Sequence, residues 1–175
     1  LHLIDDLLFA FETYALAIWG RDYILEYLQA KGWFVSWLKA VLTPHQVGKF
    51  LGFVFNTITM RLHLPANKVV KIEGLLDKVI VTQGKEETHR SLTVPVGNVV
   101  AADLAVPPAR MHLRHTCRCI RPVGGDWEGQ AEVTEKSLDE MKTIRKYLRL
   151  WNKVGGPIRR RMRMCEVRVM FDAAT

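Results

Sequence analysis

Two adjacent carboxylates, Asp5 and Asp6, separate the short apolar runs Leu1-His2-Leu3-Ile4 and Leu7-Leu8-Phe9-Ala10-Phe11. Apolar runs broken only by two turn-forming acids predict a tight β-hairpin with both carboxylates at its tip. Paired acids on stiff strands are how a site holds divalent metal for phosphoryl or nucleotidyl transfer, although the same residues also serve as an ordinary polar turn. Arg110, Arg114, Arg118 and Arg121 recur at spacings of 4, 4 and 3. On one helix that spacing makes a basic stripe able to track a phosphate backbone, or a solvated face. Arg159-Arg160-Arg161 with Arg163 forms a second basic cluster after Gly155-Gly156-Pro157, readable as a solvated linker or a targeting patch. His112, His115, Cys117 and Cys119 crowd one segment, but on a helix their spacings of 3, 2 and 2 cannot turn all four to one zinc ion.

These groups need elements to hold them. Apolar positions Ala17, Ile18, Ile24, Leu25 and Leu28 recur at helical spacing between Glu12 and Lys31, with Gly32 as a C-terminal stop. Trp33 to Leu38 is aromatic and β-branched enough for a strand, Thr43-Pro44-His45-Gln46 has the cap, proline and glutamine of a short helix start, and Phe50 to Phe55 predicts another strand. Asn56 to Thr59 is a turn, Met60 to Leu64 a short strand, and Pro65 opens a helix to about Val81. Pro95, Gly97 and Pro107-Pro108 interrupt the next apolar stretch, so a hinge or boundary is expected between Gly84 and Pro108. A helix from Ala109 to Arg121 should carry the arginine stripe, stopping at Pro122-Val123-Gly124-Gly125. Trp127 to Val133 predicts a strand, and Thr134 caps a helix through Leu138, Met141, Ile144, Leu148 and Trp151 that ends at Gly155. Glu166 to Phe171 alternates as a strand delivering Asp172 to its end. Trp19, Trp33, Trp37 and Tyr27 fall on the apolar sides of these elements and are expected in the core rather than as base-stacking platforms.

Composition narrows the class. The 175 residues are 49% hydrophobic and 25% charged, as in ordinary folded domains. The longest uncharged apolar runs fall short of the roughly 18 to 20 residues of a membrane span. Three cysteines without an even framework favour a reducing, intracellular setting, cytoplasmic or nuclear. The net charge of +7 is uneven: residues 1–60 carry 4 basic and 5 acidic groups, and residues 61–175 carry 21 and 13, so a polyanion would lie along the second part. Leu1 enters directly as an apolar strand without a leader, as expected of a piece of a longer chain.

The order hairpin, amphipathic helix, Gly32 to Pro44 and Phe50-Leu51-Gly52-Phe53 resembles the second half of a reverse transcriptase palm. That family follows a Tyr-x-Asp-Asp hairpin with a helix, a Gly-hydrophobic-x-hydrophobic-Asn-x-x-Lys-Ser segment and a Phe-Leu-Gly turn that grips the primer. The likeness is to the polymerases of DIRS-like or Ngaro-like tyrosine-recombinase retrotransposons. Their Leu-Thr-Pro-x-Gln-x-x-x-Phe-Leu-Gly-Phe, Leu-x-Leu-Pro-x-x-Lys and Pro-x-Arg-Leu-x-Leu-Arg stretches stand here at Leu42 to Phe53, Leu62 to Lys68 and Pro108 to Arg114. Met170-Phe171-Asp172-Ala173-Ala174 resembles the end of the first ribonuclease H strand. Leu3 stands where the family has Tyr, and Ser36 and Ala40 where it has Asn and Ser.

The resemblance implies an α+β fold: the C-terminal half of a palm (1–60), a thumb-like helical segment (61–105), a connection (106–165) and the first strand of a ribonuclease H-like domain (166–175). It implies RNA-directed DNA synthesis by the parent enzyme. Asp5 and Asp6 would be catalytic and bind Mg²⁺ or Mn²⁺, Lys39 would lie near the incoming nucleotide, Leu51 and Gly52 would hold the primer end, and Asp172 would be the first ribonuclease H acid. The partner would be an RNA/DNA template-primer, with no small-molecule cofactor and no membrane expected. A two-metal site also needs a third carboxylate from a strand upstream of the hairpin, so this chain alone is expected to be incomplete for catalysis. A non-catalytic basic nucleic-acid-binding module and a degenerate retroelement remnant are the alternatives.

Overall fold

The computed structural model describes residues 2–3, 6–121 and 125–158. They form a mixed α+β structure in which a helical body packs against one face of a small antiparallel sheet. At the N-terminal end, β1 (His2–Leu3) pairs antiparallel with β2 (Asp6–Leu7) where the hairpin was expected, but Asp6 pairs opposite Leu3 within the second strand instead of standing at the tip. Helix α1 (Tyr14–Ala30) follows, its Leu16 N–H donated to the Thr13 side chain. It ends as anticipated at Gly32, whose φ of +76° lets the Gly32 and Trp33 amides turn back to the carbonyls of Gln29 and Leu28, both at 2.9 Å.

Two expectations fail in the next stretch. Residues 33–46 contain neither the strand over Trp33 to Leu38 nor the helix start at Thr43, but turns and extended chain. Phe34 and Leu38 are fully exposed, and among the described residues the β-branched and aromatic content has no partner strand to reward it. The strand expected from Phe50 to Phe55 is instead a hairpin, β3 (Val47–Phe50) and β4 (Phe53–Asn56), folded about Leu51-Gly52. Strand β5 (Arg61–His63) adds to β4, and the short β6 (Gly156–Pro157) returns from the far end of the chain to pair with β5, giving the order β3-β4-β5-β6.

Helix α2 (Ala66–Val81) starts after Pro65 as expected. Between Gly84 and Pro108 the structure has helix rather than hinge: α3 (His89–Ala101) runs through both Pro95 and Gly97. A capping box between Thr88 and Ser91 starts it, and burial of Leu92, Pro95, Val96 and Val99 offsets the hydrogen bond that a helical proline forfeits. The predicted strand at Trp127 to Val133 is reduced to a bridge between Thr88 and Gln130. Helix α6 (Glu135–Val154) is capped by Thr134 and closed by Gly155, as its sequence predicts.

One core cluster joins these elements: Leu62 from the sheet, Leu64 just after it, Val69, Ile72, Leu76 and Val79 from α2, Leu92 and Val99 from α3, and Met141, Ile144 and Leu148 from α6. Its members span both sides of residue 105. Glu73 is buried on α2 and is held by Arg149 at 2.6 Å and Arg145 at 3.0 Å from α6, with Arg145 also binding Asp77. Asn152 clamps α6 to the sheet, its Oδ1 accepting the Leu64 amide and its Nδ2 donating to the Leu64 carbonyl.

The core includes no side chain of α1. Trp19 is 64% exposed, and Tyr27, Trp33 and Trp37 are also exposed, contrary to the expectation that they are core. Trp19, Tyr23 and Tyr27 instead stack on one another along α1, at centroid separations of 5.5 and 6.5 Å, with Lys31 Nζ over the last ring. The i, i+4 spacing that signals a buried face also produces this surface ladder.

Candidate nucleic-acid interface

Of the catalytic residues suggested by the sequence, Asp6 lies on β2, while Asp5 and Asp172 lie outside the described residues, as do Arg159 to Arg163 and the strand expected at 166–171. Among the described residues no group of three His, Cys, Asp or Glu side chains is placed to hold a metal ion. His112, His115, Cys117 and Cys119 diverge: His112 stacks on Trp151, Cys117 is exposed, and Cys119 is buried with its Sγ donating to the His115 carbonyl.

Lys39 is exposed on a turn whose amides, Lys39 and Ala40, donate to Ser36 O. No hydrogen bond or ion pair among the described residues ties it to the β3–β4 hairpin. At that hairpin, Leu51 (φ +47°) and Gly52 (φ +76°) are both left-handed, the signature of a two-residue turn matched to strand twist. Sequence reasoning pointed to Leu51 and Gly52 but missed the group beside them. Lys68, in the first turn of α2, places its ammonium against Gly52 and 5.3 Å from the Phe53 ring centroid. Its position in the Leu62 to Lys68 stretch was the available signal.

The arginine stripe is broken. Pro107 and Pro108 start α4 (Pro107–Met111), which ends at His112, and α5 (Arg114–Cys119) begins anew. The cause is Glu140 on α6. Its carboxylate accepts the amides of His115 and Thr116 at 2.9–3.0 Å and the Thr116 hydroxyl at 2.9 Å. In one continuous helix those amides would bond the carbonyls of residues 111 and 112. Burial pushes the Glu140 carboxyl up, but the three donors outweigh it and hold the group below the usual carboxylate range.

Arg110 consequently stands on a separate helix and pairs with Asp103 at 3.1 Å. Arg114 and Arg118 remain an i, i+4 pair on the exposed side of α5, and neither has a carboxylate partner among the described residues. Arg118 and Arg121 line an open groove of about 590 Å³ that also takes in His89, His115, Asp126 and Glu132. His89 Nδ1 is engaged by the Cys119 carbonyl at 3.0 Å, fixing that ring at the groove wall.

Compared with protein-family models, with curated proteins and with solved structures, the chain matches none. None of the described helices is long and apolar enough to cross a membrane.

Proposed function

We propose that this chain is part of an RNA-directed DNA polymerase of the tyrosine-recombinase retrotransposon type, supplying the C-terminal half of a palm and a basic body that lies along the template-primer. The observation that carries this reading is a succession along the chain: a hairpin with Asp6 on its second strand, a capped helix, then the left-handed Leu51-Gly52 turn inside Phe50-Leu51-Gly52-Phe53. In this reading Asp5 and Asp6 would contribute carboxylates toward a divalent ion whose remaining ligands come from elsewhere, and Asp172 would belong to a ribonuclease H-like site. Lys39 would face the incoming nucleotide and the Leu51-Gly52 turn the primer end. Arg114, Arg118 and Arg121 supply backbone contacts, while Arg110, tied to Asp103, contributes less.

A second reading, a basic nucleic-acid-binding module without chemistry, is favoured by one observation. The arginines Arg114 and Arg118, without a carboxylate partner among the described residues, lie on a helix packed into the core cluster.

Both readings require binding that is sequence-tolerant and salt-dependent. A salt titration of the parent chain against Arg114→Ala/Arg118→Ala on an RNA/DNA duplex tests this. Loss of both contacts should lower the slope of log affinity against log salt by about 2. An unchanged slope would return these arginines to a solvated face.

A further inference from the structure

The β3–β4 turn is a place where the backbone comes unusually close to a charged side chain of another element. Both of its central residues are left-handed, and that conformation alone favours glycine at position 52. Lys68 adds a second demand. A Cβ built on Gly52 would run into Lys68 Nζ and stand 2.9 Å from its Cε, so the ammonium occupies the space a side chain would take. The same ammonium lies 5.3 Å from the Phe53 ring centroid, which holds the lysine stem across the turn by cation–π attraction.

Lys68 has no carboxylate partner among the described residues, and the first turn of α2 contains no acidic residue. Lys68 is half-buried, so its charge is held in place rather than swinging freely on a surface stem. A fixed ammonium lying over the turn, with no carboxylate partner among the described residues, suits an anion that approaches the turn. Glycine at the contact lets the ammonium itself come close to the main chain.

We infer that Lys68 is a phosphate-contacting residue of the Leu51-Gly52 turn, meeting a phosphodiester at the 3′ end of the primer strand. The inference rests on the proposed polymerase reading, which puts the primer end at this turn. Lys68 supplies a point charge there, Phe53 fixes its position and Gly52 leaves room for it.

The test uses the full chain with a fluorescent RNA-template/DNA-primer duplex, read by anisotropy across a salt series. Lys68→Met keeps the stem and its packing on Phe53 but loses the charge, and should lower the log–log salt slope by about 1. Lys68→Arg should keep the parent slope, and Lys68→Gln serves as a second neutral variant should the methionine variant melt early. Replacing the last primer phosphates with uncharged methylphosphonates should lower the slope for the parent chain, with no further loss for Lys68→Met. Binding with an unchanged slope in both neutral variants would overturn the Lys68 contact alone. Additive effects of the neutral primer end and Lys68→Met would overturn its placement at the primer end. A parent chain that shows no salt-dependent binding would overturn the polymerase reading and this inference with it.

Discussion

Glu140 and Thr116 are joined twice: one carboxylate oxygen of Glu140 accepts both the backbone amide and the hydroxyl of Thr116, each at 2.9 Å. Thr116 is fully buried, and its Oγ also receives the Ser137 hydroxyl at 3.1 Å. A residue on α6 therefore decides where α5 begins. Glu140→Ala leaves three donors on α5 without their acceptor and should cost roughly 2–3 kcal/mol. Urea unfolding should show a lower midpoint at unchanged m, with Glu140→Gln intermediate. A loss within about 0.5 kcal/mol, the range of ordinary surface substitutions, would mean that water replaces the carboxylate.

Acid should loosen the α2–α6 and α5–α6 contacts together. The Arg149 guanidinium bonded to Glu73 holds that carboxyl below its usual range against the opposing effect of burial, with Arg145 adding to the same direction. Glu140 is lowered as well. A carboxylate whose folded pKa is depressed contributes stability that is present above the unfolded value of about 4.3 and is lost as pH falls through the folded value. Denaturant midpoints should thus hold from pH 7 to about 5 and drop below it. The combined variant Glu73→Gln/Glu140→Gln should flatten that acid limb, and an equally steep limb would assign it to other carboxylates.

Cys117 should be a poor nucleophile despite its exposure. Burial of the thiol pushes its pKa up, and nearby Glu140 pushes it further, against the weaker pull of Arg121 and Arg110. Since the thiolate is the reactive form, iodoacetamide labelling at pH 7.5 in a Cys165→Ser background should run slower than that of an unstructured cysteine peptide. Glu140→Gln should speed it. Labelling at or above the peptide rate would contradict this account.

Gly156 admits no side chain. A Cβ there would overlap the Leu104 carbonyl oxygen and stand 2.8 Å from its carbon, both main-chain atoms that cannot rotate away. Gly84, at φ +71°, would place a Cβ 2.8 Å from Val133 Cγ1 and in overlap with the rest of that side chain. Gly156→Ala should lower the melting temperature more than Gly84→Ala does, because valine can shift and a carbonyl in the core turn cannot. Circular dichroism melts order the two, and the reverse order would show that β6 yields.

Local signals were sufficient wherever a helix carried its own punctuation. Gly32, Pro65, Thr134 and Gly155 mark the ends of α1, α2 and α6, and the elements stop there. Proline misled at position 95, where burial of the surrounding face outweighs one lost hydrogen bond. The break between α4 and α5 was illegible for another reason: its cause, Glu140, lies 25 residues away from His115. The aromatic positions of α1 have the right spacing for a core, and spacing cannot say whether another element covers them. At the site, Leu51 and Gly52 were singled out by the family resemblance alone, since their residue types predicted a strand through Phe50 to Phe55, and Lys68 reaches them only through the packing of α2 beside the hairpin.

The pairing of β5 with β6 puts Arg61 opposite Pro157 and ties the Ile158 amide to Met60 O at 2.9 Å. The two ends of the packed body are thus neighbours across a single strand spacing of about 5 Å. Whatever leads in at Met60 and whatever follows Ile158 share one doorway, held there by main-chain bonds. Chain ends that lie side by side in this way are the arrangement in which circular permutation is tolerated, with the β3–β4 hairpin kept in the sheet beside β5.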